Sequence, residues 1–141
     1  IGLRRSHTRS HLFRSLLEAW GYTIRYGLEC YYPKGHPLKR LIATGGGARS
    51  KLWRHIVTDI TGIPQEYAPN AEGSIADAYL AGMAIGYFDN FEILLKQWLS
   101  AGEIIYPRTE KMEIYEAGYQ QFVKVHQILE PLFNPNSKAI S

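Results

Sequence analysis

From Thr8 to Tyr31 the apolar residues Phe13, Leu16, Leu17, Trp20, Ile24 and Leu28 recur at spacings of three and four. That is the period of one helical face, and it predicts a long amphipathic helix. Pro33, Gly35 and Pro37 interrupt it, because proline removes a backbone donor and glycine frees the backbone. Within Leu38–Thr44 the short apolar run Leu41, Ile42, Ala43 stops at Gly45 and reads as a buried strand. Leu52, Trp53, Ile56, Val57 and Ile60 form a second helical stripe, capped by Ser50 and closing at Gly62. Between Gly62 and Pro69, Ile63–Ala68 suits a second brief strand.

Ser74 with Asp77 three residues later reads as a capping pair for a helix from about Ile75 to Phe88. Its Ala76, Ala78, Ala81, Gly82, Ala84 and Gly86 are small. A glycine inside a helix costs about 1 kcal/mol relative to alanine, so close packing on a sheet or a ligand loop is expected to offset it. Phe91–Leu99 predicts a short helix ending near Gly102, and Ile104–Pro107 an extended linker. Met112, Tyr115, Tyr119, Phe122, His126 and Leu129 then predict a terminal helix that Pro131 ends, before a mobile tail at Asn134–Ser137.

This order of elements indicates an α/β domain with few parallel strands covered by helices. Two strands are few for an independent sheet, which places the remaining strands in a missing part of the chain or in a partner. The 141 residues, 45% hydrophobic and 21% charged, suit one folded domain rather than a disordered chain. The longest nearly apolar run, Tyr79–Phe88, falls well short of the roughly 20 residues a bilayer requires, so no membrane partner is expected. One cysteine, Cys30, forms no internal disulfide, and a reducing cytoplasm is the expected setting. The start at Ile1, without a leader pattern, suggests a fragment.

Charge is uneven. Residues 1–40 hold eight basic side chains against Glu18 and Glu29, whereas the remainder holds eight basic and eleven acidic. A basic start can bind nucleic acid by counterion release, but no aromatic residue is interleaved with Arg4, Arg5 and Arg9, so that reading is the weaker one.

The chemistry concentrates in Thr44-Gly45-Gly46-Gly47-Ala48-Arg49-Ser50-Lys51, a strand-to-helix turn. Three glycines remove the side chains that keep a ligand from the backbone, and the following helix aims amides at the turn, as phosphate sites do. Arg49 and Lys51 add positive charge nearby. The alternative is a tight turn whose glycines serve packing alone. Neither the dinucleotide fingerprint nor the P-loop is matched.

Ala43–Ile56, followed by Asp59-Ile60-Thr61-Gly62-Ile63-Pro64 and Glu72–Gly82, closely resembles the C-terminal domain of the FGGY carbohydrate kinases, most of all the xylulokinase-type branch. His7–Leu12 with Leu16-Leu17-Glu18 resembles the helix before the glycine loop, and Pro107–Phe133 the closing helix, where a tyrosine such as Tyr115 is usual. The resemblance implies a partial actin-like, ribonuclease H-like ATPase fold, with residues 1–141 as the C-terminal part of the second kinase domain. It implies ATP and Mg2+ as cofactors, a sugar as phosphoryl acceptor, and a missing N-terminal half that carries the catalytic aspartate and holds most of the metal. Gly45, Gly46, Gly47 and Ala48 would line the nucleotide, and Lys51 stands where some relatives place an asparagine that reaches the adenine. Lysine has no acceptor and copies only part of that contact. Asp59, Asp77 and Asp89 do not match the catalytic motif, so this chain alone is expected to catalyse nothing.

Other residues take plainer roles. His7 and His11 share a helical face but lack a third ligand, so no metal site is expected. His126 lies on the apolar stripe of the last helix, Glu72 packs beneath the nucleotide loop in relatives, and Cys30 is expected to be inert. Trp20, Trp53 and Trp98 fall on predicted apolar faces, and Gly82 with Gly86 suits close helix packing. A non-catalytic assembly module, self-associating through surface left bare, is the rival function.

Overall fold

The computed structural model describes residues 2–32, 38, 41–71, 73–94, 96 and 102–133. The predicted loop at Pro33–Pro37, Glu72, Trp98, the end of the Phe91–Leu99 helix and the tail from Asn134 lie outside the described residues. The elements run α1 (Arg9–Tyr31), β1 (Leu41–Ala43), α2 (Gly45–Ala48), α3 (Lys51–Thr61), β2 (Gln65–Tyr67), α4 (Gly73–Ala84), β3 (Ile104–Ile105) and α5 (Thr109–Phe133). The class is α/β, as the alternation of elements indicates.

The sheet is mixed rather than purely parallel. β1 pairs with β2 in parallel, Leu41 opposite Gln65 and Ala43 opposite Tyr67, while β3 pairs antiparallel on the other side of β2. β3 occupies the expected linker. Gly102 makes this possible: a methyl group there would meet the Tyr67 carbonyl oxygen, so only glycine lets the returning chain lie that close. The Tyr67 amide then donates to the Glu103 carbonyl at 3.0 Å.

α3 is the central helix, its ends set as the sequence indicates. The Ser50 hydroxyl accepts from the Trp53 amide at 3.3 Å, and Gly62 ends the helix in the left-handed region at φ 69°. Ile56, Val57 and Ile60 are buried, as are the polar Arg54, Thr58 and Asp59. α1 crosses α3 at Gly21, where a methyl group would stand 2.5 Å from Ile60 Cδ1. The core gathers Ile56, Ile60 and Tyr115, with Leu17 and Tyr22 packed against them.

The predicted apolar stripe of α1 divides in two. Leu17, Ile24 and Leu28 turn inward beside Gly21, whereas Phe13, Leu16 and Trp20 remain 60%, 64% and 65% exposed. Gly21 is the physical reason, since the helix makes its closest approach where it has no side chain. α4 departs further from expectation: Ala76, Ala78, Ala81 and Ala84 are exposed. Gly82 does pack closely, but against its own continuation, the Phe88 ring, which stacks on Tyr79 at 4.1 Å. Gly86 ends α4 at φ 73°, earlier than expected, with the Tyr87 amide donating to Gly82 and the Gly86 amide to Met83. Ser74 lies inside the first turn of α4, since the helix begins at Gly73. α5 runs past Pro131 to Phe133, because a proline in the last turn removes only one helical hydrogen bond.

α1 and α5 close on each other through tyrosines. Arg14 donates to the Tyr115 hydroxyl at 2.7 Å, which donates to Glu18 at 3.2 Å. The Tyr119 hydroxyl donates to Glu29 at 2.7 Å, and the Arg25 guanidinium lies 3.9 Å above the Tyr119 ring while pairing with Glu116. Burial pushes the Tyr22 phenol up to about 12 and raises Tyr115 and Tyr119 as well. A phenol raised in the folded state favours folding fully below its ordinary value of 10, and that contribution is lost as pH rises through the folded value. Alkaline titration is therefore expected to open the α1–α5 seam above pH 10. Phenolate absorbance and helix loss should appear together in one steep transition.

Candidate functional site

The turn after β1 is a single helical turn, α2, rather than an open loop. Gly45 enters it at φ 77°, a left-handed backbone that favours glycine. Gly46 and Gly47 have ordinary backbone angles and face outward, and a methyl group on either would meet nothing within 4 Å. Ala48 points the other way, its methyl 1% exposed in the core. Packing inside the described chain therefore explains Ala48 and not Gly46 or Gly47. Their outer face is bare.

Behind the turn stands a buried cation. Arg54, 4% exposed, donates through Nη1 to the Ala48 carbonyl at 2.5 Å and through Nη2 to Glu103 Oε2 at 3.0 Å. Its guanidinium lies 4.2 Å above the Tyr67 ring, and its Nε is buried without a hydrogen-bond partner among the described residues. The other Glu103 oxygen accepts from Lys51 Nζ at 2.8 Å. The Lys51 hydrogen bond, with Arg54 beside it, holds the Glu103 carboxyl below the usual carboxylate range. Its contribution to the brace is thus present above that range and is lost only as pH falls through the lowered value.

The structure brings Gly45, Gly46, Gly47, Ala48 and Lys51 together on one short segment, with Lys51 already engaged by Glu103. Sequence reasoning missed Arg54 and Glu103. Arg54 was findable, since it falls on the inward stripe with Val57 and Thr58, where a charged side chain requires a partner. Glu103 carried no local signal, because its approach depends on the contact of Gly102 with Tyr67.

The family model for the C-terminal domain of the FGGY carbohydrate kinases matches residues 1–101. The chain belongs to the FGGY family of carbohydrate kinases. Among FGGY relatives, a xylulose kinase of Staphylococcus epidermidis is 25% identical over 128 residues, covering 90% of this chain and 26% of that protein. A glycerol kinase of Petrotoga mobilis is 35% identical over 100 residues, covering 70% of this chain and 20% of that protein. The crystal structure of xylulose kinase from Rhodospirillum rubrum superposes with a TM-score of 0.76 at 34% identity, covering 94% of this chain and 27% of that one. This FGGY chain thus spans about a quarter of the length of these relatives.

Elsewhere Asp59, His7 and His11 of the FGGY chain are engaged. Asp59 accepts from the Arg108 amide at 2.9 Å and from its guanidinium, which ties the start of α5 to α3. His7 Nδ1 accepts from the Arg4 amide at 2.9 Å and His11 Nδ1 from the Thr8 amide at 3.2 Å. Both rings thereby carry any neutral-state proton on Nε2. Among the described residues no three His, Cys, Asp or Glu side chains gather as a metal site, and no helix is long and apolar enough to cross a membrane.

Proposed function

We propose that this chain is the C-terminal, nucleotide-contacting part of an ATP-dependent carbohydrate kinase with an actin-like ATPase fold, acting with a preceding portion of the same enzyme. The observation that carries the reading is the bare face of Gly46 and Gly47, glycines that the chain's own packing does not require. Family membership and the quarter-length coverage of xylulose and glycerol kinases support it.

The backbone of Gly45, Gly46, Gly47 and Ala48 contacts the nucleotide on its phosphate and ribose side, and Lys51 stands beside the base. Ala48 offers only its backbone, since its methyl is in the core. The open backbone fits an ATP phosphate or ribose, which needs close approach and amide donors more than side chains. Mg2+ would be held mainly outside this chain, where it would neutralise phosphate charge. In the complete enzyme the γ-phosphoryl leaves the β-phosphate oxygen for a sugar hydroxyl, whose proton passes to a carboxylate on the preceding part. Such transfers rest on positioning and charge neutralisation. This chain positions. Asp59, held by Arg108, is not free to act as that base, which supports the view that the chain alone is inactive.

Substituting this chain for the corresponding quarter of a xylulose kinase tests the reading. A chimera that phosphorylates sugar from ATP supports it. A folded chimera that binds sugar but shows no ATP dependence overturns it.

A further inference from the structure

We infer that Glu103 is a positioning residue for the glycine turn, acting through Arg54, and that together they set the turn's affinity for a nucleotide diphosphate. The inference rests on the nucleotide reading above. Four observations meet here. The carbonyls in the last turn of a helix lack intrahelical donors, and Arg54 Nη1 supplies one to Ala48, the last residue of α2. The Tyr67 ring fixes the plane of the guanidinium from below. Glu103 fixes its rotation with one oxygen and, with the other, holds Lys51 at the start of α3. Arg54 acts from the buried side, and the outward face of Gly46 and Gly47 is clear.

Stability does not account for this arrangement. Arg54 is buried with its Nε unpartnered, a desolvation cost that its pair with the half-exposed Glu103 only partly offsets. What Arg54 does orient is the Ala48 carbonyl, and with it the backbone of the turn.

The test compares the chain with Glu103→Gln, Arg54→Met and Arg54→Lys, reading ADP affinity, amide exchange at Gly46–Ser50 and thermal melting. Glu103→Gln and Arg54→Met are expected to weaken ADP roughly tenfold, the scale of one charged hydrogen bond, and to speed exchange at the turn; melting stays within a few degrees in Glu103→Gln, whose carboxylate is half-exposed, and falls further in Arg54→Met, which takes the donor from the Ala48 carbonyl. Arg54→Lys should recover part of the affinity, since it restores charge without the planar fork. Unchanged affinity and exchange in both variants overturn the inference, as does loss of affinity only in step with global unfolding. If Arg54→Met fails to fold, the half-exposed Glu103→Gln decides alone. Silence of the parent chain toward ADP overturns the nucleotide reading and the affinity claim together, and exchange at the turn then decides whether Glu103 positions it.

Discussion

Gly102→Ala melts far below the parent chain and releases β3 from β2. The added methyl would collide with the Tyr67 carbonyl oxygen and lie 2.9 Å from its carbon and 3.3 Å from Pro69 Cδ. The closest of these atoms belong to backbone, which no rotamer change can clear. Either the Tyr67 peptide tilts, straining the pairing of β1 with β2, or the chain at Glu103 withdraws and breaks its hydrogen bond from the Tyr67 amide. Overpacking against an unyielding neighbour costs about 3 kcal/mol, which for a domain of this size lowers the melting temperature by roughly 10 °C. Withdrawal would also carry the Glu103 carboxylate away from Lys51 and Arg54. Gly118→Ala provides the contrast. Its methyl would meet the Tyr22 hydroxyl at 2.1 Å and Cζ at 3.0 Å, a ring packed against Tyr115, Tyr119 and Phe122 that must shift as a whole, and alanine's helix preference offsets part of that cost, so a loss of about 1–2 kcal/mol is expected. Thermal melts by circular dichroism of the two variants, side by side, check the ordering.

Gly46→Ala combined with Gly47→Ala has the opposite signature: stability held or raised, nucleotide affinity lost. Both positions have ordinary backbone angles and open space where the methyl would go. Alanine in a helical turn is favoured over glycine by up to about 1 kcal/mol per site, so folding does not suffer. The methyls instead occupy the outer face, where the proposed phosphate or ribose must touch the backbone. A displacement of that contact is expected to weaken ADP by roughly 10-fold to 100-fold, the loss of one or two backbone hydrogen bonds to a charged group. Gly45→Ala differs again, because φ at 77° disfavours any side chain and the fold itself loses about 1 kcal/mol. Calorimetric titration with ADP alongside thermal melts separates the three glycines by cause.

Local signals set the ends of α3, while the equally local pair Ser74–Asp77 and Pro131 fall inside α4 and α5 rather than at their ends. Ser50 and Gly62 bracket α3 because a hydroxyl cap and a left-handed glycine act within one turn. The parallel pairing of β1 with β2 follows from a strand, a helix and a second strand in close succession. What sequence periodicity did not reveal depended on distant contacts. β3 exists because Gly102 meets Tyr67, thirty-five positions earlier in the chain. The α1 stripe divided because Gly21, not a large residue, faces Ile60, leaving Phe13, Leu16 and Trp20 outside. The small face of α4 is a reverse case: a pattern that suits close packing, with its alanines exposed among the described residues. In the candidate site the glycine turn was evident and its brace was not, since Glu103 reaches Arg54 only through the sheet.

The proposed function requires the turn at Gly45–Lys51 to receive a nucleotide. An amide-resolved NMR titration of this chain with ADP and Mg2+ tests it most directly. Saturable shifts confined to Gly45–Lys51 and the neighbouring Glu103 are the predicted result. A folded, well-dispersed sample whose turn amides stay still at saturating ADP, or shift only elsewhere, would contradict the account.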